Sequence, residues 1–167
     1  MPPPRLPSRP GDTWDASFVF DAARDVRAVS SRGGLVVAGG EELHLLRAGA
    51  QSMASRAPPL GIGPLFAAAA EPRAPWRYAI ASKELVAVVF RTKEGGDQIV
   101  HLRCKTPGRS ATHLAWGHAG TASSLYIRWD DGEVVRMRED MSGVEAPELP
   151  PMDAIAADDA GVLALAS

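Results

Sequence analysis

The chain has one cysteine, Cys104, so no disulfide can form within it and nothing points to an oxidising compartment. It has no run of about 18 apolar residues, the length a membrane-spanning helix needs. Its longest small-apolar stretch, Leu65 to Ala70, is far shorter. It has no excess of either charge. With 18 Lys and Arg against 20 Asp and Glu, the formal charge is −2, which argues against a dedicated nucleic-acid binder. The N-terminus, MPPPRLPSRPGDTW, lacks the apolar core of a signal peptide. Phosphate-loop chemistry is missing too, because Gly33-Gly34 and Gly39-Gly40 are followed by neither Lys-Ser/Thr nor a long helix. There is no G-x-S-x-G elbow. These absences predict a cytoplasmic protein with no cofactor and no nucleic-acid or membrane partner.

What is present is a repeated pattern of short apolar runs. An apolar content of 46% over 167 residues is that of a soluble globular chain, and a domain of this size buries about two-thirds of its unfolded surface. The most complete copy of the pattern is Thr112 to Glu139. Leu114-Ala115-Trp116 leads through a Gly-containing turn to Leu125–Trp129. Asp130-Asp131-Gly132 then turns the chain into Val134–Arg138. An Asp-Gly step between alternating apolar runs is a hairpin signal, because Gly accepts the positive φ that tight turns need. Related runs recur. First strands are expected at 28–31 (AVSS), 79–82 (AIAS), 114–117 (LAWG) and 154–157 (AIAA), with starts 51, 35 and 40 residues apart. Second strands begin at Leu35, Leu85, Leu125 and Val162, and third strands end at Arg47, Arg103 and Arg138. Residues 65–70, before Pro72 and Pro75, read as a loop with room for one short helix, and Gln51 to Ser55 as an outer strand. The predicted fold is all-β, an array of antiparallel three- to four-stranded units with a period near 40 residues.

The organisation that follows is a flexible Pro-rich tail over 1–13 and an array over 14–167, with units at about 25–60, 76–108, 110–149 and a partial 152–167. Ala154-Ile155-Ala156-Ala157 with Val162–Ser167 resembles the opening of a blade in RCC1-like and WD40 β-propellers, and Leu114–Arg138 is similar to both. The resemblance implies a divergent β-propeller of undecided repeat class. Gly117-His118 and Trp129-Asp130 imitate the WD40 dipeptides but lie inside one strand–turn–strand unit. Propellers close with about four to eight blades, so the array reads as incomplete. Three accounts fit that: a piece of a longer propeller, closing strands from another subunit or from Phe18-Val19-Phe20, or a smaller sheet assembly.

No residue set calls for catalysis or metal binding. His113 and His118 are an odd number of positions apart and fall on opposite faces of a strand, and a metal site wants more ligands. His44 and His101 hold similar places in their third strands. Asp130-Asp131 and Asp158-Asp159 fall at turns, where Asp bonds nearby backbone N–H groups. Ser30, Ser31, Ser123 and Ser124 show no Asp or His partner by sequence, and Cys104 beside Arg103 and Lys105 reads as an incidental thiol. The function expected by analogy with the fold is a protein-interaction scaffold or regulatory binding module with a protein partner. Loops 32–34, 82–84, 117–124 and 157–161 would present the surface, with Trp76 and His118 as candidate contacts. The alternative is a propeller enzyme or small-ligand binder with a site in the central channel. The Ala-, Gly- and Arg-rich composition is compatible with a high-GC bacterial genome.

Overall fold

Among the residues that the computed structural model of the chain describes, every element is a strand. The structure describes residues 26–32, 35–40, 42–47, 54–56, 64–73, 77–83, 85–91, 97–103, 108–119, 121–138, 144–145, 150–157 and 163–166. The Pro-rich leader, Phe18-Val19-Phe20, Trp76 and Cys104 lie outside them. Three antiparallel four-stranded sheets follow one another along the chain. The first is β1 (Val26–Arg32), β2 (Leu35–Gly40), β3 (Leu43–Arg47) and β4 (Ala54–Arg56). The second is β5 (Ala67–Ala70), β6 (Arg77–Ala81), β7 (Leu85–Arg91) and β8 (Asp97–Arg103). The third is β9 (Ala111–Ala119), β10 (Ala122–Trp129), β11 (Val134–Arg138) and β12 (Val144–Glu145). A two-stranded sheet of β13 (Ala154–Ala157) and β14 (Leu163–Ala166) comes last. This is an all-β, propeller-type array of blades.

The first strands β1, β5, β9 and β13 pack successively against one another, β1 on β5, β5 on β9 and β9 on β13. They are the inner strands of their blades. They begin at residues 26, 67, 111 and 154, which are 41, 44 and 43 residues apart. The period is therefore far more regular than the sequence spacing suggests. The difference comes from residues 65–70. The expected loop with a short helix is in fact β5, and AIAS is the second strand of its sheet. Four alanines favour helix intrinsically, but Pro64 and Pro72 leave no length over which a helix could repay its nucleation. As a strand, β5 pairs in register with β6, Ala67 with Ala81 through Ala70 with Tyr78, and its small side chains fit the crowded axis. In the third sheet β12 lies outside β11 as a fourth strand.

All four inner strands run the same way. The Leu65 N–H donates to the Gly40 carbonyl, which sets the start of β5 beside the end of β2 and hence the start of β1. The Met152 N–H donates to the Gly132 carbonyl, and the Asp130 N–H to that of Ser110, which brings the starts of β13 and β9 together.

Three apolar layers fill the gaps between consecutive sheets, as period-2 alternation requires of sheets covered on both faces. Leu43, Leu45 and Leu65 meet Tyr78, Ile80, Ala87 and Val89 between the first and second sheets. Ala67, Ala69, Ala79, Ala81, Val86 and Val88 meet Leu114, Trp116, Leu125, Ile127, Trp129, Val135 and Met137 between the second and third. Ala115, Val134 and Tyr126 meet Met152 and Ile155 between the third and fourth. Leu125, Ile127 and Trp129, on one face of β10, are thus buried. The turn after β10 carries one positive φ, +87° at Gly132, whose N–H closes on the Trp129 carbonyl at 3.0 Å.

Candidate functional site

The β5–β6 connection leaves the axis at Glu71 and returns at Arg77, both buried. Glu71 is 0% exposed, so its charge needs partners, and it has several. Its Oε2 accepts from the Arg77 guanidinium at 2.9 Å, and its Oε1 lies 3.1 Å from His118 Nε2. Oε1 also accepts the Arg73 N–H at 3.2 Å. His118 sits near the end of β9, and its Nδ1 is 3.0 Å from the Ser123 hydroxyl at the start of β10. Nδ1 thus faces the hydroxyl and Nε2 the carboxylate. The Arg77 guanidinium also lies over the Trp116 ring at 4.9 Å and the Phe90 ring at 5.5 Å. The Trp116 indole N–H donates to the Ala69 carbonyl at 3.2 Å. The result is a chain of contacts, Ser123–His118–Glu71–Arg77, that joins the third sheet to the second across the apolar layer.

Two of these contacts fix direction as well. Trp116 meets Ala69, and two residues later on each strand His118 meets Glu71. The last residues of β1, β5, β9 and β13 therefore gather at one end of the array. Ser82 and Lys83 do not lie there. The Phe66 N–H donates to the Ala81 carbonyl at 2.8 Å, so they lie at the opposite end, beside the start of β5.

Of the two candidate contacts, His118 has a side chain only 1% exposed and held on both ring nitrogens. Trp76 lies outside the described residues, within the connection that Glu71 and Arg77 anchor. Ser123, read from sequence as having no His partner, has one. That pairing was hidden because β9 had to extend to Ala119 before the two residues could meet across the hairpin.

The opposite end is clamped differently. Arg109 reaches Asp131 at 2.7 Å and Glu133 at 2.6 Å and covers the Trp129 ring at 5.4 Å. Desolvation alone would raise the Asp131 carboxyl, but the Glu133 N–H and Arg109 together hold it below its ordinary range. Asp130 accepts the Ser110 N–H at 3.2 Å. The Asp pair serves its turn. Among the described residues no group of three or more His, Cys, Asp or Glu is placed to hold a metal ion.

Arg128 ties the third sheet to the fourth. Its Nε donates to the Met152 carbonyl, and one terminal nitrogen to Thr112 Oγ1 at 2.6 Å. Burial first, and the Arg128 charge second, push the neighbouring His113 below its ordinary value.

No protein-family model and no curated protein sequence matches the chain. Among solved structures it is similar to the β-propeller domain of Cps50 (Swd1) from Myceliophteria thermophila, with a TM-score of 0.58 and 13% identity over 81% of this chain. The match spans 46% of that chain, so the present chain corresponds to less than half of the propeller domain. At this identity the likeness establishes the propeller fold alone.

Removing the Glu71 carboxylate takes from the buried Arg77 guanidinium the carboxylate that answers it. Glu71→Ala is expected to lose about 3–5 kcal/mol of stability in urea denaturation; a loss below about 1 kcal/mol would show that the network does not join the sheets.

His113 generates a pH dependence. Its folded value lies below its unfolded one, so the unfolded chain takes up the proton first. The stability it supports is complete well above pH 6.5, the ordinary value, and is lost as pH falls through that value toward the lower folded one. Denaturation midpoints between pH 8 and pH 5 should fall for the parent chain and fall less steeply for His113→Asn; equal slopes would contradict the assignment.

Proposed function

We propose that the chain is a protein-interaction module that binds its partner at the end of the array where the inner strands β1, β5, β9 and β13 finish. The observation that carries this reading is the Glu71–Arg77–His118–Ser123 network beneath that end. It fixes both ends of the connection that holds Trp76 and joins it to the β9–β10 turn. A short connection with rigid ends presents an aromatic anchor at little entropic cost on binding, and Trp is enriched among residues that dominate binding energy. In this reading His118 positions the surface from below and Trp76 contacts the partner. The scaffold or regulatory role rests on fold analogy with propellers. The near-neutral charge favours a protein partner over a nucleic acid. A cytoplasmic location accords with the single cysteine, and no helix among the described residues is long and apolar enough to cross a membrane.

The enzyme reading draws on one observation, the Ser–His–Glu order of the network, and the geometry weakens it. In serine hydrolases the histidine takes the serine proton on Nε2 and is held by the acid through Nδ1. Here the two nitrogens are exchanged. Ser123 is 3% exposed, and Glu71 is already bonded to Arg77.

The test is to capture a partner with the tagged chain, identify it, and titrate the purified pair. Trp76→Ala should weaken binding by about 2 kcal/mol or more, while Lys83→Ala, an exposed residue at the opposite end, should leave it unchanged. The reverse pattern would place the interface at the other end and overturn the proposal.

A further inference from the structure

The third and fourth sheets meet over a small apolar patch, Ala115, Val134, Met152 and Ile155 with the half-buried Tyr126. Beside that patch the ladder between β9 and β10 is irregular, between Arg128 and Trp129. A bulge of this kind re-aims the side chains around it. Here it brings together Thr112, His113 and Arg128, all half-buried. Arg128 Nε donates across the gap to the Met152 carbonyl. The Met152 N–H donates to the Gly132 carbonyl at 2.9 Å. Both backbone groups of Met152 are thus held by the third sheet, and the residue is the joint on which the fourth sheet seats. The Arg128 guanidinium is steadied in turn by Thr112 Oγ1 at 2.6 Å, and the same hydroxyl lies 3.2 Å from His113 Nδ1.

His113 is the member of this cluster whose charge changes near neutral pH. Arg128 stands opposite it in register, and Tyr126 is next on that face of β10. Arg136 and Arg138 continue the face on β11. The strands packed against it from the fourth sheet, Ala154–Ala157 and Leu163–Ala166, carry no charged residue, and the exposed Asp153 precedes them. β5 and β6 cover the other face of β9, where Glu71, Arg77 and His118 lie. The charge that acts on His113 is that of Arg128, a cation, and burial acts in the same direction.

From this cluster we infer that the seam between the third and fourth sheets is an acid-operated joint: a proton taken up by His113 drives Arg128 off the Met152 carbonyl and uncovers the face of Ala115, Tyr126 and Val134. Two like charges in a partly desolvated gap repel, and parting the seam returns both to water. The closed seam holds His113 below its ordinary value of 6.5, whereas the open seam lets it regain that value. Closure is therefore complete well above pH 6.5 and weakens as pH falls through it. The apolar layer of Trp116, Leu125, Ile127 and Trp129 on the other face of the third sheet keeps sheets two and three together meanwhile. The device thus opens one seam, beyond the general loss of stability that His113 brings in acid, and it does not depend on the turn-end interface proposed above.

Amide hydrogen exchange of the full chain, corrected for intrinsic rates, tests this at about pH 7.5 and about pH 5.5. Protection in Ala154–Ala157 should fall several-fold in acid while that of β6 and β7 holds. Fluorescence of anilinonaphthalene sulfonate should rise over the same range as apolar surface is uncovered. In His113→Asn, which takes up no proton, both readouts should stay level between the two conditions. In the parent chain the His113 ring signals, followed by NMR, should titrate with the same midpoint as the loss of protection in β13, a readout that holds even if the variant folds poorly. Equal protection at the two pH values, a loss shared evenly by β6, β7 and β13, a loss retained in full by His113→Asn, or a His113 midpoint apart from that of β13 would each overturn the inference.

Discussion

A sheet that is apolar on both faces cannot stand alone in water, and this constraint orders the whole chain. In the second sheet, Tyr78, Ile80, Ala87 and Val89 point one way and Ala79, Ala81, Val86 and Val88 the other, all fully buried. Each face is covered by a neighbouring sheet. Between the second and third sheets the fit is small against large. The alanines of β5 and β6 form a shallow wall on which Trp116, Leu125, Ile127 and Trp129 lie. A fully buried Trp or Leu contributes on the order of 2–3 kcal/mol by removal from water, so this one layer outweighs any single polar contact in the structure. It also explains why the inner strand of the second sheet is made of alanine. Larger side chains at Ala67 and Ala69 would push the two sheets apart.

The polar network is the price of the turn end. Leaving the axis at Glu71 and returning at Arg77 places two charges where water does not reach, and each is answered by the other and by the neighbouring sheet. A buried ion pair of this kind adds little net stability compared with an apolar substitute, while breaking it is severe. What it contributes is position. Glu71 fixes the departure of the connection, Arg77 its return, and His118 with Ser123 the hairpin beside it. The opposite end is held by the more exposed cluster of Arg109 with Asp131 and Glu133, where solvent screens the charges.

Much of the architecture was legible in the sequence. The third sheet was readable almost residue by residue, because alternation in β10 and β11 is strong and Asp131-Gly132 marks the turn between them. The half sheet at 154–166 was readable for the same reason. The inner strand of the second sheet was not, because four alanines carry no period-2 signal and favour helix by intrinsic propensity; only the space around the axis makes them a strand. The site was less legible still. Glu71 and His118 are 47 positions apart, and nothing local links them. Glu71 followed a stretch read as a loop, so it was not considered at all. His118 was singled out for its resemblance to a family dipeptide, and the structure gives it a different setting, between Glu71 and Ser123.

The claim on which the account turns is that Ala67–Ala70 is the inner strand of the second sheet. Residue-resolved amide hydrogen exchange tests it directly. The β5 amides bonded to β6 should exchange as slowly as those at the centre of β6, since opening them requires parting the layer that holds Trp116. Rapid exchange across 67–70, at the rate of an unstructured loop, with β6 still protected, would contradict it.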